Sequence, residues 1–178
     1  MILPCGTCMS MWLFLPLVVL PAGSSIAQAP LPTETELRAA YCIPVLQDDI
    51  AGLHELLDSI MESMAAVTDD VPPAMRQEWK DSIEKSKRDL PEHIKARESA
   101  LNRVQLFIIP RMRYLDPAAL LSATARAKAD IQENAADTRK CTNQCTTSGQ
   151  IKSCMSACVN SDLSARLDAC RNPTWLPF

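Results

Sequence analysis

Cysteine is the residue type in this 178-residue chain whose spacing most clearly predicts chemistry. Four of the eight cysteines form two Cys-x3-Cys pairs, Cys141 with Cys145 and Cys154 with Cys158. Residues four positions apart lie on the same face of a helix, so each pair presents its two sulfur atoms together. Side chains placed in this way can form disulfides, bind a metal ion or exchange disulfides with another thiol.

The segment between the two pairs predicts a helical hairpin, because it contains Gly149 and is long enough to reverse the direction of the chain. In an antiparallel hairpin the outer cysteines face each other, and so do the inner cysteines. This geometry, with the two remaining cysteines paired last, predicts the disulfides Cys141–Cys158, Cys145–Cys154 and Cys42–Cys170. The layout is similar to the twin Cys-x3-Cys helical hairpins of some small secreted and mitochondrial intermembrane-space proteins. That resemblance covers this segment alone and implies its shape but no function.

The beginning of the chain has the pattern of a secretory signal. An apolar run lies between Met11 and Leu20, small residues follow it, and the first charged side chain is Glu34. The run is about half of the roughly 20 residues that a membrane-spanning helix needs, so a retained anchor is disfavoured. We predict a signal peptide over residues 1–27, cleaved after Ala27, and export of the chain to the periplasm or the extracellular space.

Export decides between the interpretations of the cysteines. The dithiol Cys5-x2-Cys8 lies ahead of the apolar run and would be removed with the signal. Disulfides persist in oxidising compartments, whereas cysteine-rich zinc sites are typical of reducing ones. Catalytic dithiols usually have the Cys-x2-Cys spacing at a helix start. We therefore favour disulfides, and the alternative is a thiol-redox or metal-binding protein that uses the Cys-x3-Cys pairs.

Helices are the elements that must position these cysteines. Glycine and aromatic residues are scarce, at four residues and 4%, while good helix formers are plentiful. Apolar residues recur at alternating steps of four and three, which predicts a heptad stripe that needs a partner helix. The stripe consists of Leu46, Ile50, Leu53, Leu57, Ile60, Met64 and Val67. Thr33 and Glu36 predict a capping box at the start of this helix, and Pro44 predicts a kink or a separate short helix before the stripe.

Prolines and capping residues predict the remaining helix boundaries. Residues 68–72 form a break, after which Pro73 opens a second helix, Pro91 bends or splits it, and Pro110 ends it. Asp116 is the predicted N-cap of a third long helix that begins at Pro117 and reaches the cysteines. Two short helices follow, over 151–159 and 163–170, and the cap between them is predicted at 161 or 162.

These elements predict an all-α fold: a helical bundle of about three long, kinked helices with a disulfide-stapled C-terminal helical hairpin. The length of the chain is typical of one domain. We assign residues 28–178 to a single helical domain, with 137–172 as its cysteine-rich hairpin. The tail over 173–178 is expected to dock on the bundle or on a partner.

A locally basic segment is the candidate partner-binding surface. Its cations are Lys95, Arg97, Arg103, Arg111 and Arg113. A basic amphipathic helix can bind an anionic membrane surface or an acidic partner. We favour the simpler interpretation, a packed helix with a solvated face whose neighbour is the acidic stretch between Glu34 and Asp70.

The sequence offers little support for nucleic-acid binding, for a copper site or for an enzyme. A formal charge of -3 lacks the basic field that nucleic-acid binding requires. The chain has no phosphate loop, nucleophile elbow or His-Glu-x-x-His motif. His54 with Met61 and Met64 could form a soft copper site, but core packing explains Met64 without a metal. A hydrolase that uses paired carboxylates such as Asp48 and Asp49 would need an acid of raised pKa.

We therefore predict no catalytic residue, cofactor or metal. The predicted function is that of an exported, non-catalytic protein-interaction or envelope module. It binds a protein partner or self-associates through its helices, and it has no membrane span after signal cleavage.

Overall fold

The computed structural model describes residues 29–65, 73–146 and 151–177. This part of the chain folds into α1 (Glu34–Ala65), α2 (Pro73–Met112), α3 (Pro117–Cys145), α4 (Ile151–Cys158) and α5 (Ser161–Arg171). The predicted all-α class is confirmed, with three long helices and a C-terminal helical hairpin joined by disulfides. The predicted signal peptide, the break at 68–72 and the turn at Gly149 lie outside the described residues.

The long helices α1 and α3 begin where their capping residues predict. The backbone nitrogen of Thr33 donates to the carboxylate of Glu36 at 2.8 Å, and the nitrogen of Glu36 donates to the Thr33 hydroxyl at 3.3 Å. This reciprocal pair is the predicted capping box. At the start of α3 the carboxylate of Asp116 accepts from the nitrogen of Ala118 at 3.0 Å, and Pro117 is the first helical residue.

The predicted cap of α5 is wrong by one position. Asn160, rather than residue 161 or 162, is the N-cap. Its side-chain oxygen accepts from the backbone nitrogens of Asp162 and Leu163 at 3.1 and 3.2 Å. Asparagine is among the strongest N-cap residues, and from this position it satisfies two donors that the first turn of the helix leaves open.

The prolines interrupt the helices less than the sequence predicts. Helix α1 is continuous through Pro44, so the separate short helix is wrong, and α2 is not split at Pro91. Helix α2 also runs two residues past Pro110, to Met112. A proline inside a helix costs about 3 kcal/mol, but at Pro44 the packing of the neighbouring residues offsets this cost. Val45 and Leu46 are buried beside the first proline.

Helix α1 is the central element, because it packs against α2, α3 and α5. Arg97 of α2 contacts Asp49 of α1, and Arg111 lies near Glu36, so α1 and α2 are antiparallel. The acidic stretch is therefore the neighbour of the basic segment, as the simpler interpretation predicts. Helices α1 and α3 run in the same direction, since residues 30 and 116 are hydrogen-bonded near one end and residues 41 and 130 further along.

The core lies where the first half of α1 meets the second half of α2, the first half of α3, and α5. Small residues in α1, among them Ala39 and Ala40, let the neighbouring helices approach closely. The core side chains are Ala39, Ala40, Cys42, Val45, Leu46, Ala100, Val104, Phe107, Ile108, Leu115, Leu120, Ala127, Leu163, Leu167, Cys170 and Leu176. The tail docks on the bundle: Leu176 is buried, and the indole nitrogen of Trp175 donates to the carbonyl of Ala169 at 3.1 Å.

The remaining halves of α1 and α2 extend beyond this core as a two-helix arm, which we define as residues 50–65 and 73–93. No side chain that the structure describes in these two ranges belongs to the core cluster. The heptad stripe of α1 therefore has α2 as its partner over most of its length, while α3 and α5 enclose the other half of α1.

Candidate functional site

The structure places the six cysteines of its described part in three pairs, the same three that the helical spacing predicts. The Cα–Cα distances are 5.2 Å for Cys42–Cys170 and 5.7 Å for both Cys141–Cys158 and Cys145–Cys154. All three lie in the range that disulfides adopt. Two bonds join α3 to α4, and the third joins the centre of the fold to α5.

The pairing of the cysteines does not support the alternative function, a thiol-redox or metal-binding protein that uses the Cys-x3-Cys pairs. A thiolate is the nucleophile in disulfide exchange and the ligand in zinc sites, but the six cysteines of residues 29–65, 73–146 and 151–177 are all paired in disulfides. Within the same ranges, no three His, Cys, Asp or Glu side chains cluster closely enough to hold a metal ion. His54 and Met61 are exposed on the arm, and the side chain of Met64 lies outside the described residues.

An ion-pair cluster around Asp49 fastens α5 to the two long helices. The Arg97 Nε atom lies 2.6 Å from Asp49 Oδ2, and Arg171 approaches both carboxylate oxygens, at 2.8 and 3.1 Å. Arg171 also contacts the carboxylate of Asp168 one turn earlier in α5. One carboxylate on α1 thus holds a guanidinium from α2 and another from α5. Local sequence patterns could not predict this cluster, because Arg97 and Arg171 lie 48 and 122 residues from Asp49.

Two opposing effects act on the pKa of Asp49. Burial raises it, whereas the hydrogen bond and positive charge of Arg171, followed by those of Arg97, lower it more. The net pKa is below the usual value of 3.8, so Asp49 is ionised at neutral pH. A carboxylate hydrolase would require the opposite shift, a raised pKa that keeps an acid protonated.

A second polar cluster lies between α1, α3 and α5. The Tyr41 hydroxyl donates to Asp130 Oδ2 at 2.8 Å, and the Arg166 Nε atom lies 3.3 Å from the same oxygen. Asp130 is the one buried charged residue among those that the structure describes. A buried carboxylate needs compensating donors, and the phenol and the guanidinium supply them.

The pKa of Tyr41 offers a direct test of this cluster. Burial, followed by the hydrogen bond to Asp130 and the negative charge of Asp130, raises this pKa to about 12, and Arg166 lowers it by less. A phenol shifted upwards stabilises the fold below about pH 10 and loses that contribution as the pH rises towards the folded-state value. At neutral pH Tyr41 is therefore a hydrogen-bond donor and not a phenolate.

In a Tyr114→Phe variant Tyr41 is the single tyrosine, since the chain contains two. We expect the phenolate absorbance at 295 nm to develop with a midpoint near pH 12, and circular dichroism should show that the protein is still folded at pH 11. Adding Asp130→Asn should lower the midpoint, because the negative charge is removed. A midpoint near the usual pKa of about 10 would contradict the cluster.

The five cations proposed from the sequence as a partner-binding surface do not form one patch. Lys95 and Arg111 lie on α2 about 24 Å apart at 1.5 Å per residue, and Arg113 follows the end of that helix. Arg97 pairs with Asp49 inside the protein, and Arg103 is half-buried. Arg111 lies over the ring of Phe107 and donates to its carbonyl, while Arg113 lies over the ring of Tyr114. Three of the five cations, Arg97, Arg111 and Arg113, therefore make contacts within the chain.

The arm carries the apolar surface that its own two helices leave uncovered. Leu56 and Met61, which flank the heptad stripe on either side, are 48% and 52% exposed. Trp79 of α2 is also 52% exposed. Leu53, Leu57 and Ile60 in the stripe itself are only half-buried. The sequence predicts the stripe, but the missing cover on its flanks is visible only in three dimensions.

Comparisons of the chain with protein-family models, with curated proteins and with solved structures find no match. Among residues 29–65, 73–146 and 151–177, no helix combines the length and the apolar character needed to cross a bilayer.

Proposed function

We propose that the chain is an exported, non-catalytic helical module that associates with a second copy of itself through the arm. The observation that carries the proposal is the wide apolar face of the arm, formed by a heptad stripe and its flanking residues Leu56 and Met61. A helix with one neighbour needs only a narrow a/d seam, whereas a broader apolar face is typical of helices with two or more neighbours. Two arms packed together would give each α1 that second neighbour.

The charges of the arm support a second copy as the occupant. Helix α1 carries no Lys or Arg after Arg38, and its acids within the arm are Glu55, Asp58 and Glu62. The facing part of α2, residues 73–93, carries five cations alongside five acids. The cations are Arg76, Lys80, Lys85, Lys87 and Arg88, and the acids are Glu78, Asp81, Glu84, Asp89 and Glu92. In a two-fold dimer, α1 of one copy can lie against α2 of the other, so that opposite charges flank the apolar seam.

Export is the second part of the proposal. The apolar run before residue 28 and the placement of six cysteines in three disulfides both fit a protein that matures in an oxidising compartment. A domain that is cross-linked at its core and at its C-terminal end is suited to holding the arm outside the cell or in an envelope.

Sedimentation equilibrium of the exported protein tests the self-association. We expect a monomer–dimer equilibrium, and the double variant Leu56→Glu/Met61→Glu should weaken it by about 100-fold, because each substitution removes an apolar anchor and places a charge in the seam. The matched control is Leu121→Glu on α3, at a leucine that is 70% exposed and outside the arm. Its dimerisation should equal that of the unaltered protein.

Circular dichroism must show the same helical content in the three proteins. A chain that stays monomeric at every concentration would contradict the proposal, and so would a control that dissociates as readily as the double variant.

A further inference from the structure

A cleft of about 550 Å³ opens between α1, α3 and α5, separate from the arm. Helix α1 lines it with residues that include Leu37 and Arg38, and α3 with Ala119, Ala123 and Arg126. On each of these helices the lining residues recur at steps of three and four, which is a single helix face. The volume is in the range of pockets that hold small organic ligands.

The lining includes small apolar side chains on α3, which we call the floor of the cleft. Ala119 and Ala123 lie where larger residues would close the gap between α3 and α1. The sulfurs of Cys42 and Cys170 belong to the same lining, so a disulfide fixes the width of the cleft at its α5 side. Such a floor favours an alkyl or aryl group.

The polar part of the lining is positively charged. It contains Arg38, Arg126 and Arg166, with Glu34 as the one carboxylate. Arg166 is engaged by the buried carboxylate of α3, and Arg38 lies over the ring of Trp175, 4.9 Å from its centre. Arg126 makes no hydrogen bond or ion pair with any residue in the described part of the chain. Its guanidinium is exposed at the cleft and available to an external anion.

We propose that this cleft binds a small amphipathic carboxylate, with the apolar body on the alanine floor and the carboxylate on Arg126. A guanidinium presents a planar pair of donors that matches the two oxygens of a carboxylate. Arg38 adds positive charge to the same lining from α1. The site is independent of self-association, because none of its residues lies in the arm.

Isothermal titration calorimetry with decanoate tests the site on the full exported protein. We expect saturable binding of one decanoate per chain. Decanol carries the same chain without the charge and acetate the same charge without the chain, so each should bind at least about tenfold more weakly. The self-association variant Leu56→Glu/Met61→Glu should bind decanoate as the unaltered protein does.

Two substitutions on α3 locate the ligand. Arg126→Gln removes the guanidinium without breaking an internal ion pair, and it should weaken decanoate binding at least about tenfold. The matched control is Lys128→Gln, the same change of charge two residues further on, at an exposed position outside the cleft. Ala119→Phe should abolish binding by filling the floor.

The Lys128→Gln protein should bind decanoate with the affinity of the unaltered protein. The circular dichroism of all variants should match that of the unaltered protein. Failure of decanoate to bind, equal affinity for decanol, or equal affinities of the Arg126→Gln and Lys128→Gln proteins would each overturn the proposal.

Discussion

Replacement of Cys42 and Cys170 by alanine is expected to lower the free energy of unfolding by about 5 kcal/mol. The bond joins residues 128 apart in sequence, and a cross-link that closes so long a loop strongly restricts the unfolded chain. A domain of this size has a total stability of about 5 to 15 kcal/mol, so the variant should be close to unfolding. Urea titration followed by circular dichroism measures the loss.

The matched control is Cys145→Ala/Cys154→Ala, which removes a bond between residues only nine apart. The same loop-entropy relation gives a loss of about 3 kcal/mol for this short loop. The Cys42–Cys170 bond should contribute more to the free energy of unfolding than the Cys145–Cys154 bond, since it links α1 to α5 inside the core. Equal losses in the two variants, or a larger loss in the control, would contradict it.

Asp49→Asn is expected to cost about 2 to 3 kcal/mol, because it leaves the guanidiniums of Arg97 and Arg171 without their shared carboxylate. Breaking a fully buried ion pair costs about 3 to 5 kcal/mol. The loss here should be smaller, since Arg171 is partly exposed. The matched control is Asp168→Asn, which removes the other carboxylate of Arg171. The Asp49 side chain is 18% exposed and that of Asp168 is 55% exposed, so the control should cost less than about 1 kcal/mol.

The effect of Asp49→Asn should also depend on pH. The pKa of Asp49 is lowered on folding, so its contribution to stability is fully present above the unfolded-state pKa of about 3.9 and is lost as the pH falls through the folded-state value. Urea titrations should show a constant difference between the unaltered protein and the variant from pH 5 to about pH 8, and a shrinking difference below about pH 4. A difference that grows in acid would contradict the ion-pair cluster.

The disulfide framework could be predicted because its geometry is local. Two Cys-x3-Cys pairs on either side of a turn have one natural antiparallel pairing, and the last bond follows by elimination. Helix starts at Thr33 and Asp116 were predictable for a similar reason, since a capping side chain acts on backbone groups two or three residues away.

Features that depend on distant residues could not be predicted. The continuity of α1 through Pro44 depends on packing that outweighs a local penalty. The partners of Asp49 and of Tyr41 come from helices far away in sequence, and nothing near either residue identifies them. The cleft is lined by the small side chains of Ala119 and Ala123. In the sequence these alanines are ordinary helix-forming residues and give no indication of a cleft.

Self-association through the arm and ligand binding in the cleft share one physical basis. The disulfides and the Asp49 cluster hold α5 against the first half of α1, which builds the core and the walls of the cleft. With that half secured, the second half of α1 and its partner in α2 extend as an arm whose apolar face remains available. A stable base and an uncovered arm are what a module that works by association needs.

Mass spectrometry of the exported native protein tests whether the chain is exported and cross-linked by three disulfides. The protein is denatured without reductant, alkylated and weighed intact. We expect a chain that begins at Gln28 and carries no added alkyl group, since all six remaining cysteines are in disulfides. An uncleaved start, or six alkylated cysteines, would contradict both export and the cross-linked scaffold.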